Sequence, residues 1–213
     1  MPPNTDNQRS IEKYRLTAAA YDSTTGPTWP IRMRCIALLA LQPGDVVLDV
    51  GCGTGLSFES LLAAVGRQGR VLAFEQSPEM HALAAVRAAR LRGAGWQVDL
   101  QCASAEMVRF EPPPDAALFH YVHDITLTPP ALDNLFAQLP AGARLSVAGM
   151  KFFPWWLAPL NLLAWLKNRP YNVHAHQMNR PWSLLEARLN GFNWTPTQRG
   201  MGYVGSGTVA ASR

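Results

Sequence analysis

The chain predicts an α/β fold built on a doubly wound, mostly parallel sheet. Three observations carry that expectation. Val46 to Val50 is a short apolar run rich in β-branched residues, the pattern of a strand buried on both faces. Gly51, Gly53 and Gly55 follow at once, and behind them Phe58, Leu61, Leu62 and Val65 recur at i, i+3, i+4 and i+7, one apolar helical stripe. A second strand, Arg70 to Glu75, then ends in an acid 20 residues beyond Gly55. Strand, glycine turn and helix form a nucleotide-cradling unit. Glycine removes Cβ atoms where backbone must approach a ligand, and the helix N-terminus offers free N–H donors.

The spacing narrows the ligand. A dinucleotide site wants Gly-x-Gly-x-x-Gly with the helix aimed at a pyrophosphate. This chain has Gly-x-Gly-x-Gly, with Asp49 two residues before the first glycine. A carboxylate there repels phosphate and suits an ammonium group. Glu75, at the next strand end, can accept both hydroxyls of a ribose. A ligand with a ribose, a cationic amine and no phosphate is described, and S-adenosylmethionine answers to it. In Leu48-Asp49-Val50-Gly51-Cys52-Gly53-Thr54-Gly55 and the spaced Glu75 the chain resembles the class I S-adenosylmethionine-dependent methyltransferases. The resemblance covers roughly residues 10–211 and is highly specific only over 46–76. It implies a seven-stranded Rossmann-like sheet, one methyltransferase domain over 10–213, and S-adenosylmethionine as cofactor.

Size and composition agree. The 213 residues suit one α/β domain, and 48% hydrophobic with 16% charged residues describes a globular chain. A net charge of +4 without Lys/Arg runs gives nucleic acid little support as a partner. Cys35, Cys52 and Cys102 form neither a disulfide framework nor a zinc pattern, so a reducing cytoplasm is the expected home. No signal peptide and no transmembrane run is visible.

Taken in order, residues 1–9 are expected to be disordered, and Ser10 caps a helix over Ile11 to Ala20. Tyr14, Ala18, Tyr21 and Asp22 match the Tyr-x-x-x-Ala-x-x-Tyr-Asp segment that small methyltransferases of the ubiquinone and phospholipid type use as a helical N-terminal lid. The alternative is a static helix pinned by two tyrosines. Ile31, Cys35, Leu38 and Leu39 stripe the next helix, and Pro43-Gly44-Asp45 breaks it. Ser77-Pro78 opens a helix as an N-cap followed by proline, and Gly93-Ala94-Gly95 closes it. Trp96 to Cys102 is a third strand. The following Ala103-Ser104-Ala105-Glu106 sits where relatives bind adenine, with Ser104 in place of their Asp. Asp115 to Phe119 and Arg144 to Ala148 are the fourth and fifth strands, flanking a helix striped by Leu132, Leu135, Phe136 and Leu139. A helix over Pro181 to Leu189 and strands at Phe192 to Thr195 and Gly202 to Ala211 complete the expected sheet.

Methyl transfer from a sulfonium is an in-line displacement of a good leaving group, and holding the nucleophile in line supplies much of the catalysis. The cofactor residues implied are Tyr14, Tyr21, Asp49, Gly51, Gly53, Thr54, Glu75, Gln76, Met80, Ser104, Ala105, Glu106 and His120. Asp49 either bonds the glycine turn or orients the methionine end, and Met80 packs on adenine or simply fills core. His120 and His123, beyond the fourth strand, are candidate bases for a hydroxyl acceptor, with Asp124 an orienter; packed histidines bonded to backbone are the bland alternative. His174 and His176 lack an evident third ligand, so no metal is expected, and they read as acceptor contacts. The aromatic-rich insertion over 152–178 carries Trp155, Trp156 and Trp165. It reads as a cap over an apolar acceptor, as an interfacial anchor with Lys167 and Arg169, or as packing with an oligomer contact. The acceptor expected is accordingly a small or medium apolar molecule methylated on O or N, or a lipid head group reached by peripheral membrane contact. Two further readings are non-transferase use of the sulfonium and a cofactor-binding module.

Overall fold

The computed structural model describes residues 22, 25–152 and 179–211. The expected lid helix with Tyr14 and Tyr21, and the aromatic-rich segment with Trp155, Trp156, Trp165, His174 and His176, lie outside the described residues.

A helix α1 (Trp29–Leu38) leads to strand β1 (Val46–Val50), α2 (Phe58–Val65), β2 (Arg70–Glu75), α3 (Pro78–Gly93) and β3 (Val98–Cys102). Then come β4 (Ala116–His120), a single turn α4 (His123–Thr126), α5 (Pro129–Phe136), β5 (Arg144–Met150), a short α6 (Ser183–Glu186), β6 (Leu189–Thr197) and β7 (Gly202–Val209). The strands form one seven-stranded sheet in the order β3-β2-β1-β4-β5-β7-β6. β1 to β5 run parallel, and β7 inserts antiparallel between β5 and β6. The chain doubles back between β1 and β4, and open α/β sheets bind ligands outside such a switch point.

Each face of the sheet is covered. Leu48 and Val50 of β1 point into one core, with Phe119, Leu132 and Leu135, and Val47 points into the other, with Phe58, Leu61 and Leu62. The α2 stripe is essentially sealed, and each such side chain contributes about 1.5–3 kcal/mol by leaving water. The α3 cap forms as the sequence suggests: Met80 N–H donates to Ser77 Oγ at 3.4 Å, and Pro78 opens the helix.

Several boundaries differ from expectation, most clearly at the third strand and in the tail. The third strand begins at Val98, because Trp96 lies under the Arg67 guanidinium, 3.9 Å from its ring centroid, and leaves the ladder. The tail helix shrinks to one turn and β6 starts at Leu189. Trp182 stacks on Trp194 and Tyr203 at 4.3 and 4.7 Å, so aromatic packing onto the sheet replaces helical continuation.

Candidate active site

The carboxyl ends of β1, β2 and β4 open on one cavity of roughly 690 Å³, its solvent-open mouth included. The glycine turn forms its floor. Gly51, Gly53 and Gly55 all take left-handed φ values, +57°, +59° and +80°. A Cβ on Gly51 would lie 2.9 Å from Val122 Cγ1 and 3.1 Å from Ile125 Cδ1, whereas one on Gly53 would meet nothing within 4 Å. So Gly51 lets the loop after β4 close down, and Gly53 leaves open the space a ligand needs.

Asp49 and Glu75 stand at the two strand ends. Asp49 Oδ2 is buried without a hydrogen-bond partner. Burial pushes the carboxyl up to about 7, against the pull of the Arg32 guanidinium; Glu75 adds to the rise and the Ser57 hydrogen bond opposes it. Glu75 is nearly buried and also raised, chiefly by desolvation. Its Oε2 accepts the Gly53 N–H at 2.9 Å and its Oε1 the Ser77 N–H at 2.8 Å, which bonds the second strand end to the glycine turn. A carboxylate has lone pairs beyond these two bonds, enough to accept ribose hydroxyls.

The third wall begins at Tyr121. Its φ of +60° kinks the chain as it leaves β4, and its N–H is held by Ala148 O at 2.8 Å. The kink lets His120, Tyr121 and Val122 all line the cavity. His120 is buried, and both its ring nitrogens lack a partner. Burial, and secondarily Arg32, hold its imidazole well below the ordinary range, so it is neutral at pH 7. Native structures rarely leave buried polar atoms unsatisfied. Asp49 Oδ2, Arg32 Nε and both His120 nitrogens are such atoms, and all three residues line this cavity. A ligand carrying ammonium, carboxylate and hydroxyl groups fits them.

A model of the methyltransferase domain matches residues 47–141. The ubiquinone biosynthesis O-methyltransferase of Xanthomonas euvesicatoria pv. vesicatoria (strain 85-10) is 26% identical, covering 83% of this chain and 86% of that protein. Its counterpart in Xanthomonas campestris pv. campestris (strain B100) is 33% identical over 50% of this chain and 45% of that protein. Among solved structures, the N-methyltransferase NodS of Bradyrhizobium japonicum WM9 in complex with S-adenosyl-L-homocysteine superposes with TM-score 0.69 at 15% identity, covering 95% of this chain and 100% of that one. A SAM-dependent methyltransferase from Aquifex aeolicus gives 0.64 at 15%, covering 91% and 98%. Together these matches support a class I S-adenosylmethionine-dependent methyltransferase. The chain is a methyltransferase enzyme, and S-adenosylmethionine is its cofactor.

Most residues that the methyltransferase resemblance singled out converge. Asp49, Gly51, Gly53, Thr54, Glu75, Gln76, Met80, Ala105 and His120 all line the cavity. After β3 it is Ala105 that does so, while Ser104 and Glu106 flank it outside the lining. Ser104 O accepts the N–H groups of Met107 and Val108, and Asn134 Nδ2 donates to Ala105 O at 2.8 Å, so hydrogen bonds fix which residue the turn presents. His123 is not in the lining either. Met150 N–H donates to its Nε2 at 2.8 Å, which ties the ring to the end of β5.

Sequence reasoning missed Arg32. It sits on α1, only 6% exposed, lines the cavity beside Asp49, and donates from Nη1 to Ser57 Oγ at 2.5 Å. A cation reads as a helix-surface residue in sequence, and nothing in the α1 stripe marked this one as buried. Phe74, Val122 and Ile125 were also missed; they supply apolar wall, and Asp124 adds a third acid. Among the described residues no cluster could hold a metal ion, and no helix is long and apolar enough to cross a membrane.

Proposed function

We propose that this methyltransferase acts on a hydroxyl oxygen of a small, largely apolar acceptor, with His120 holding that hydroxyl in line. The observation that carries the reading is the His120 ring, buried in the cavity wall with two unpartnered nitrogens. A neutral imidazole offers one lone pair and one N–H, so it can accept a hydrogen bond from a hydroxyl and orient it. Arg32 and a cationic ligand nearby disfavour imidazolium. His120 therefore acts more by orientation than by carrying a full proton, which suffices when the leaving group is good.

S-adenosylmethionine, when bound, supplies a methyl group made electrophilic by its sulfonium. This chain's residues divide the work of holding it. Asp49 Oδ2 takes the ammonium, Arg32 the carboxylate and Glu75 the ribose hydroxyls; Gln76, Met80 and Ala105 border the adenine. Phe74, Val122 and Ile125 exclude water, which strengthens each of these charged contacts. An oxygen acceptor is supported by the names of the curated relatives, which are O-methyltransferases. Methylation of a lipid head group rested on the segment outside the described residues, and no described feature favours it.

The test is single-turnover methyl transfer to a panel of phenols and alcohols. His120→Ala should slow transfer about 10²-fold or more, while affinity for S-adenosylhomocysteine stays within about threefold. At saturating S-adenosylmethionine the wild-type rate should show no inflection near pH 6.5. Full activity in His120→Ala overturns the assignment.

A further inference from the structure

Arg32 and Asp49 come from different elements, α1 and β1, and both are nearly sealed from solvent. Between them lies Ser57, fully buried at the start of α2. Its Oγ accepts from Arg32 Nη1 at 2.5 Å, and the same hydroxyl favours the ionised form of the Asp49 carboxyl. A hydroxyl can accept one bond and donate another, so a single side chain links guanidinium to carboxylate. The link leaves Arg32 Nε and Asp49 Oδ2 unpartnered.

We infer that Ser57 is a positioning residue: it sets the separation and orientation of Arg32 and Asp49 so that the pair receives the two charges of the cofactor's amino-acid end. The inference rests on the reading of Arg32 and Asp49 given above and deepens it. Without the bridge, the two opposite charges would be drawn into a direct ion pair, and both would turn from the ligand. Buried opposite charges attract strongly in a low-dielectric wall, so holding them apart requires a third group that satisfies one bond of each. A zwitterion needs such spacing. An α-amino acid carries its charges on atoms that diverge from one carbon, and two groups already neutralising each other would take neither.

Ser57 touches no ligand in this scheme, so its role must be separated from simple stability. Two nucleosides do that. S-adenosylhomocysteine carries the amino-acid end, and 5′-methylthioadenosine lacks it while keeping adenine, ribose and sulfur. Calorimetry on the intact protein should show Ser57→Ala losing about tenfold or more in affinity for S-adenosylhomocysteine, with 5′-methylthioadenosine changed by less than about twofold. Ser57→Cys, closer in size and a weaker donor, should show the same selectivity at reduced magnitude and covers the case in which alanine leaves the protein unfolded. An equal loss for both nucleosides, or no loss for either, overturns the inference. The underlying reading fails separately: if Arg32→Gln and Asp49→Asn leave the wild-type preference for S-adenosylhomocysteine intact, those two residues do not hold the amino-acid end.

Discussion

Thr54 Oγ1 donates to Asp22 Oδ1 at 2.6 Å, so a residue of the N-terminal segment grips the glycine turn directly. Asp22 also pairs with Arg87 of α3. Thr54 is buried and Asp22 exposed, which makes the contact a surface strap on a sealed turn. Asp22→Ala should weaken S-adenosylhomocysteine binding about three- to tenfold while costing less than about 1 kcal/mol in unfolding free energy, because exposed ion pairs contribute little. Calorimetry and urea unfolding on the same protein check both halves. A change in stability with unaltered affinity would make Asp22 a scaffold contact only.

Gly51 and Gly53 of the turn should respond in opposite ways to a side chain. Gly51→Ala forces a Cβ against Val122 and Ile125 and also strains a left-handed φ, so it should lower the melting temperature markedly. Gly53→Val meets open space and strains only φ, a cost of about 1–2 kcal/mol. Its branched side chain intrudes on the cavity, and cofactor binding should be abolished while the fold persists. Differential scanning calorimetry with and without S-adenosylhomocysteine separates the two outcomes.

Glu75 binds protein and ligand at once. Glu75→Gln keeps one carbonyl oxygen for backbone N–H groups but turns an NH₂ toward the other, so both the turn and the ribose contact suffer. Affinity for S-adenosylhomocysteine and for 5′-methylthioadenosine should fall by the same factor, about tenfold, since both carry the ribose. A selective loss of S-adenosylhomocysteine would move Glu75 to the amino-acid end.

Asp49 makes the protein pH-sensitive. Its carboxyl ionises near 3.8 in an unfolded chain and about 7 here. Between those values the folded protein holds a proton that the unfolded chain lacks. This group's contribution to stability is therefore full below pH 3.8 and is lost as pH rises through about 7. Ligand binding runs the other way, because an ammonium needs the carboxylate ionised, so affinity should climb from about pH 6 to 8. Asp49→Asn should flatten both profiles, as read by thermal melts and calorimetry across that range. A wild-type affinity that stays level from pH 6 to 8 would contradict the shift.

Local signals were enough to find β1, the glycine turn, α2 and β2. Periodicity, capping and glycine φ act within a few residues, and Asp49 and Glu75 were legible because strand ends fix where a carboxylate projects. The seven-strand count came with the family resemblance rather than from any residue pattern, and the order of the strands only with the tertiary structure. Tertiary structure alone decided what separates His120 from His123. They stand three apart in one polar motif and carry identical chemistry. The left-handed kink at Tyr121 and the pairing of β4 with β5 put one ring into the cavity wall and the other against the Met150 amide. Arg32 and Ser57 were hidden for the same reason. They lie 25 residues apart, Arg32 on α1 over β4, β5 and β7 and Ser57 at the cap of α2 over β1 and β2, and only the packing of these elements together buries a guanidinium where a hydroxyl can reach it. A buried polar contact of that kind is a relation between distant elements, and no local window of sequence contains it.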